Sequence, residues 1–172
     1  MSRRKIFTGT AFFIWMTCFT YYTAAAQAAA PQPSLKVTGE VIKPLELSPA
    51  DIAKMPRVNA SVKERDGVTR MYTGVPVTEI LSLAGVTMGK QLRGENLSKY
   101  LLVTSADGYQ VVFSLAELDS TFTDRVVILA DEVDGKPLPQ GVGPFKMVVP
   151  GDKKPARSSF EVTSFVIKYA KE

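Results

Sequence analysis

The chain has 172 residues, with 21 Lys+Arg against 17 Asp+Glu, no histidine and one cysteine. Those two scarcities exclude a Ser-His-Asp or Cys-His arrangement, an internal disulfide, and zinc, copper or iron sites built on imidazole or thiolate; acid–base work falls to Asp, Glu, Lys or Tyr. Arg3, Arg4 and Lys5 account for three of the 21 basic residues, leaving 18 against 17 beyond residue 30, which is too small an excess to neutralise phosphates, so no nucleic-acid partner is expected.

The chain opens with the basic segment Ser2-Arg3-Arg4-Lys5, an apolar run from Ile6 to Ala26, and then Ala26-Gln27-Ala28-Ala29-Ala30-Pro31. That order predicts a signal peptide over residues 1–30, cleaved after Ala28 or Ala30, and an exported, periplasmic domain over residues 31–172. The rival is an uncleaved anchor, since roughly 20 apolar residues span a bilayer. Against it, Thr8, Thr10, Thr17, Thr20 and Thr23 interrupt the run. The only cysteine, Cys18, falls in the segment to be removed. About 140 residues then remain, the size of one domain with a core that needs no staples.

Leu35, Val37, Gly39 and Val41 alternate with polar residues and predict a half-buried strand that Pro44 ends. Ser48-Pro49-Ala50-Asp51 predicts a short helix, with Ser48 as its N-cap, running to Met55. Val58 to Arg65 reads as a strand, Asp66-Gly67 as a turn, and Val68 to Tyr72 as the return. A helix follows over Val77 to Ala84, ended by Gly85. Leu101 to Val103 and Tyr109 to Phe113 flank the turn Ala106-Asp107-Gly108. Ser114-Leu115-Ala116-Glu117 has the form of a capping box and predicts another short helix. Strands are expected at Val126 to Ala130, Phe145 to Val149 and Phe160 to Tyr169, with Asp134-Gly135 as a second hairpin turn. Many short strands with a few short helices make the fold class α+β, with mixed sheets, rather than a doubly wound sheet.

Four segments in order carry a resemblance. They are Val37-Thr38-Gly39-Glu40-Val41 with Pro44-Leu45; Tyr72-Thr73-Gly74-Val75-Pro76-Val77 with Ile80-Leu81 and Ala84-Gly85-Val86; Ser105-Ala106-Asp107-Gly108-Tyr109; and Gly135-Lys136-Pro137-Leu138-Pro139 followed by Gly143 to Gly151. Together they resemble the molybdopterin-binding domain of sulfite-oxidase-type oxidoreductases, over about residues 35–169. The resemblance implies that fold. In the family's enzymes a cysteine thiolate binds molybdenum from the segment corresponding to Val62–Arg70, which holds no cysteine here. Molybdenum is therefore not expected as a cofactor, and a molybdenum-dependent oxidoreductase or its subunit is the alternative reading. The tail Val149 to Arg157 resembles small, exported, cysteine-free relatives. That likeness implies a pterin, of the tetrahydropterin type, as ligand. It also implies a partner, the periplasmic domain of an inner-membrane signalling protein, with cyclic-di-GMP turnover as its output.

A pterin is a flat ring with a 2-amino group, an N–H donor and a carbonyl. It asks for an acceptor, a cationic or backbone donor and a face to stack on. Asp107 or Asp152 can supply the acceptor; Arg157, Lys153, Lys154 or Arg65 the donor; Tyr72, Tyr109 or Phe160 the face. Arg157 is the first choice, because a guanidinium both stacks and forks. Gly143, in Gly141-Val142-Gly143-Pro144, can offer backbone amides. Each has a plainer reading: Asp107 as the start of a hairpin turn, Lys153-Lys154 as a solvated loop, Arg65 as a hairpin tip, and the tyrosines as strand residues.

Overall fold

The computed structural model describes residues 33–170. The predicted signal peptide, and with it the question of cleavage or anchoring, lies outside them. The strands are β1 (Leu35–Gly39), β2 (Leu45–Leu47), β3 (Val58–Lys63), β4 (Thr69–Pro76), β5 (Lys99–Ser105), β6 (Gln110–Ser114), β7 (Ile128–Val133), β8 (Lys136–Pro137), β9 (Lys146–Val148) and β10 (Val162–Tyr169). Two short helices, α1 (Pro49–Ile52) and α2 (Val77–Leu83), interrupt them. Neither is long and apolar enough to cross a membrane.

Two sheets result. The first has the order β2-β1-β10-β5-β6, and the second runs β3-β4-β7-β8 with β9 also paired to β7. All pairings are antiparallel except β1 with β10, which joins the start and end of the domain in parallel. The α+β class with mixed sheets is therefore the architecture observed.

Alternation explains where the core lies. Leu35 and Val37 of β1, Leu101 and Val103 of β5, and Phe165 and Ile167 of β10 point inward from the first sheet. They share one apolar cluster with Val75, Leu129 and Met147 of the second sheet and with Ile80 and Leu81 of α2. The second sheet also buries its other face, where Ala60, Tyr72, Ile128, Ala130 and Val148 form a smaller cluster. Being covered on both sides, β7 opens as the continuous apolar run Ile128-Leu129-Ala130 rather than as an alternation.

Local chemistry sets the element ends. Ser48 caps α1 as read: its hydroxyl accepts from the Asp51 N–H while the Asp51 carboxylate accepts from the Ser48 N–H. Strand β1 stops at Gly39 rather than Val41. Gly39 has φ +93°, and a Cβ there would lie 2.1 Å from the carbonyl oxygen of Ile167, so only glycine allows the two backbones to meet. Beyond Pro44 the chain doubles back as β2, an edge strand the sequence reading did not anticipate.

The helix expected at Ser114 does not form. Its capping-box bonds are present, Ser114 N–H to Glu117 Oε1 at 2.9 Å and Glu117 N–H to Ser114 Oγ at 3.2 Å. The chain then breaks into turns, because buried Asp119 accepts from the Thr121 N–H, the Thr121 hydroxyl and the Gly89 N–H. That carboxylate ties the segment to a neighbouring loop and leaves no axis along which a helix can grow.

Candidate functional site

Turns from both sheets surround a cleft of about 670 Å³, within the range of roughly 300–1,000 Å³ usual for small-molecule sites. Its walls are the β3–β4 hairpin, the turn between β5 and β6, the loop 138–142, and the 3₁₀ turn Pro155–Arg157 with the segment leading into β10.

Three side chains deep in the cleft form a connected triad. Lys146 is only 2% exposed. Its Nζ donates to Glu64 Oε1 at 2.6 Å and to the Tyr72 hydroxyl at 2.7 Å. The Tyr72 hydroxyl in turn donates to the same Glu64 oxygen at 2.6 Å. The ammonium also lies 4.0 Å from the centre of the Tyr72 ring and 5.1 Å from that of Phe160, so a cation–π attraction adds to the ion pair. Period-two alternation puts it there: Phe145 and Met147 enter the main core, and Lys146 takes the opposite face of the second sheet beside Tyr72.

The triad shifts the ionisation of its members. Burial alone would raise the Glu64 carboxyl, but hydrogen bonds from Lys146 and Tyr72 outweigh it and hold Glu64 below the usual carboxylate range. Burial pushes Lys146 down, opposed by Glu64. Burial, and then the hydrogen bond to Glu64, push the Tyr72 phenol up, so it remains a neutral donor. At the rim, Arg70 pairs with Asp66 at 2.7 Å, and that hydrogen bond brings the Asp66 carboxyl down to about 2.

Three buried serine hydroxyls complete the cleft. Ser105, Ser158 and Ser159 are 4%, 7% and 5% exposed and all line it. Among the described residues none of their hydroxyl oxygens has a hydrogen-bond partner. A buried polar group left unpaired costs about 1–3 kcal/mol, and these three lie together at the cleft wall. Glu161 lies beside them with φ +46°, a left-handed backbone conformation uncommon outside glycine and concentrated at functional sites.

Of the residues singled out from sequence, Arg65, Tyr72, Asp107, Tyr109 and Phe160 line this cleft. Asp107 also serves its turn, accepting from the Tyr109 N–H at 2.9 Å. Tyr109 straps the opening, donating from its hydroxyl to the carbonyl oxygen of Ala156 at 2.9 Å. The other five do not line it. Arg157, the first choice, turns away. Its Nε and Nη2 bond Asp152, its Nη1 bonds Glu117 at 2.8 Å, and its guanidinium lies over Phe113. Asp152 is taken up by Arg157 and Arg125. A guanidinium matched to two carboxylates has no reason to reach for a ligand. Lys153 and Lys154 are exposed on the loop beyond the cleft, as the plainer reading had them. Gly143 packs against Leu138 and is followed by a cis peptide bond to Pro144; its neighbours Gly141 and Val142 are the lining residues.

Glu64, Lys146 and the three serines are the residues sequence reasoning passed over. The signal for Lys146 was available: it is the one charge in the apolar run Phe145-Lys146-Met147-Val148-Val149, and a lysine is almost never fully buried unless paired.

The family model for the oxidoreductase molybdopterin binding domain matches residues 61–153, from within β3 to just past β9. The fold is similar to that of the crystal structure of the sulfane dehydrogenase SoxCD from Paracoccus pantotrophus, with a TM-score of 0.63 and 22% identity. The match covers 81% of this chain and 39% of that one, so the chain spans well under half of its structural relative. Comparison with curated proteins returned no match.

Proposed function

The chain belongs to the oxidoreductase molybdopterin-binding domain family, and from that premise we propose that its cleft holds a metal-free pterin and that the domain acts in the periplasm as a ligand sensor for an inner-membrane signalling protein. The observation that carries the reading is the cleft's chemistry: three unpartnered buried hydroxyls and aromatic walls, in a domain whose residues 33–170 contain no thiolate.

The donor set suits the organic ring and not the metal centre. Molybdenum in this fold takes a soft sulfur ligand, and the segment Val62–Arg70 offers Glu64 already bound to Lys146. Among the described residues no group of three His, Cys, Asp or Glu can hold a metal ion. The cleft's charge also argues against a phosphorylated cofactor. Glu64, Asp66, Asp107 and Glu161 face Arg65, Arg70 and Lys146, and two of those three cations are paired with carboxylates. An acceptor-rich pocket of this kind favours a ring rich in N–H donors, which a reduced pterin is.

The exported location and the signalling partner are supported by the leader-like N-terminus and by the resemblance to small cysteine-free relatives; cyclic-di-GMP turnover is the output that resemblance implies. Calorimetric titration of the purified protein with a tetrahydropterin, under reducing conditions, tests the ligand. Saturable one-to-one binding is expected. Failure to bind any pterin, with none released from the purified protein, would overturn the reading, as would stoichiometric molybdenum after expression in a host that makes the cofactor.

A further inference from the structure

Resting on the pterin reading, we propose that Glu64 is the residue that sets ligand specificity, selecting rings with an amino group at position 2 and rejecting otherwise identical rings with a carbonyl there. The lumazines and flavins are of the second kind. The argument begins with the bonds the carboxylate already makes. Both Lys146 and Tyr72 donate to Oε1, while Oε2 takes no hydrogen bond from the described residues. Glu64 lines the cleft, so the remaining acceptor of a fixed, ionised carboxylate is what an incoming ring meets. Of the three N–H groups on Lys146, two are committed to Glu64 and Tyr72, and one remains to donate to the carbonyl at position 4.

That arrangement reads a donor at position 2 together with an acceptor at position 4. A 2-amino-4-oxo ring presents both, with its amino group opposite Oε2 and its carbonyl toward Lys146. A 2,4-dioxo ring puts a carbonyl oxygen against Oε2, two lone pairs face to face. A site built around a hydrogen bond discriminates strongly against the analogue that cannot make it. The hydroxyls of Ser105, Ser158 and Ser159, unpartnered among the described residues, lie in the same wall. They do not themselves discriminate, because a hydroxyl both donates and accepts.

The same bonds predict how to invert the preference. In Glu64→Gln the amide oxygen takes the place of Oε1, because Lys146 and Tyr72 both donate to it. The amide nitrogen then takes the place of Oε2 and becomes a donor, suited to a carbonyl at position 2. Affinities are measured by calorimetry for a methylated tetrahydropterin and for the lumazine of the same substitution and oxidation state, on wild type and on Glu64→Gln, with thermal melting to confirm that the variant is folded. Wild type is expected to prefer the pterin by on the order of a hundredfold, the worth of one hydrogen bond to a charged group, and the variant to prefer the lumazine. Equal affinities in wild type would overturn the specificity assignment while leaving pterin binding intact, and this arm needs no variant. A folded Glu64→Gln that keeps the wild-type preference would also overturn it. Binding of neither ring by wild type would remove the pterin reading and this inference together.

Discussion

Two clusters of charged side chains lie partly or wholly under the surface of this domain, and they are built to opposite rules. Around Arg157 the ions are nearly matched: Arg125 and Arg157 share Asp152 and Glu117 through five hydrogen bonds, Arg157 also stacks on Phe113, and only the Arg125 Nε is left without a partner among the described residues. Around Lys146 the ions are fewer and the accounting is open. One ammonium and one carboxylate share a tyrosine, and among the described residues one carboxylate oxygen and three nearby serine hydroxyls have no partner. The first cluster pins the loop after β9 against the turns that follow β6. The second is arranged for something to be added. Charge in a sequence does not separate the two cases; the degree of saturation does, and only the fold reveals it.

The strongest way to break the comparison is to remove Lys146. In Lys146→Met the Glu64 carboxylate stays in the cleft without its cation, and breaking a buried pair from one side costs about 3–5 kcal/mol. A denaturant titration should show a loss of about 3 kcal/mol, the lower end because Glu64 keeps 15% exposure. Pterin affinity should fall with it. Arg157→Ala should cost about 1–2 kcal/mol, because its partners are only partly buried and can rehydrate. Pterin affinity should stay unchanged, and a matching loss of affinity would return Arg157 to the binding site.

Acid should weaken both clusters. Hydrogen bonding from Arg157 lowers the Asp152 carboxyl, and Glu64 is lowered as described. Each therefore contributes stability above the ordinary carboxylate range, near pH 4, that disappears as pH falls through its folded value. Melting temperature followed downward from pH 6 should decline for wild type and decline less for Arg157→Ala, which keeps only the part of the Asp152 contribution that Arg125 supplies. The smallest effect sharpens the comparison most. Ser158→Ala removes a buried hydroxyl that has no partner, so the unliganded protein should be unchanged or more stable by up to about 1 kcal/mol. Its affinity for a pterin should nonetheless drop several-fold by calorimetry. Stability and affinity moving together would mean that this hydroxyl is not waiting for a ligand.

Most of the fold was legible because it rests on local signals. The period-two pattern marked β1, Ser48 and Asp51 marked α1, and the Asp-Gly pairs marked the hairpins. What failed locally did so for long-range reasons. The capping box at Ser114 formed without its helix, because Asp119 bonds across to Gly89. Strand β2 failed for a local reason instead: its three residues are too few to show an alternation, although their partners in β1 are close in sequence. The site divided the same way. Tyr72, Asp107 and Tyr109 sit in motifs whose spacing fixes the turns around the cleft. Gly74 of the same motif is required at a β-bulge, where a Cβ would lie 2.2 Å from the carbonyl oxygen of Leu129. Arg157 lies outside the cleft, held in part by Glu117, a partner 40 residues away that no short window contains. Lys146 was overlooked because alternation assigns a lone polar strand residue to solvent, and β9 has a second buried face.

The strap from Tyr109 to Ala156 has a further consequence. It joins a turn of the first sheet to the short coil before β10, while the Glu161 N–H bonds the carbonyl oxygen of Val142 on the loop that follows β8. An occupant of the cleft touches all three segments and so braces them against one another. It stabilises the folded state by an amount that grows with the logarithm of its concentration. Any protein resting on that mouth would register occupancy as stiffness, and hydrogen exchange at these turns would slow without the backbone having to travel.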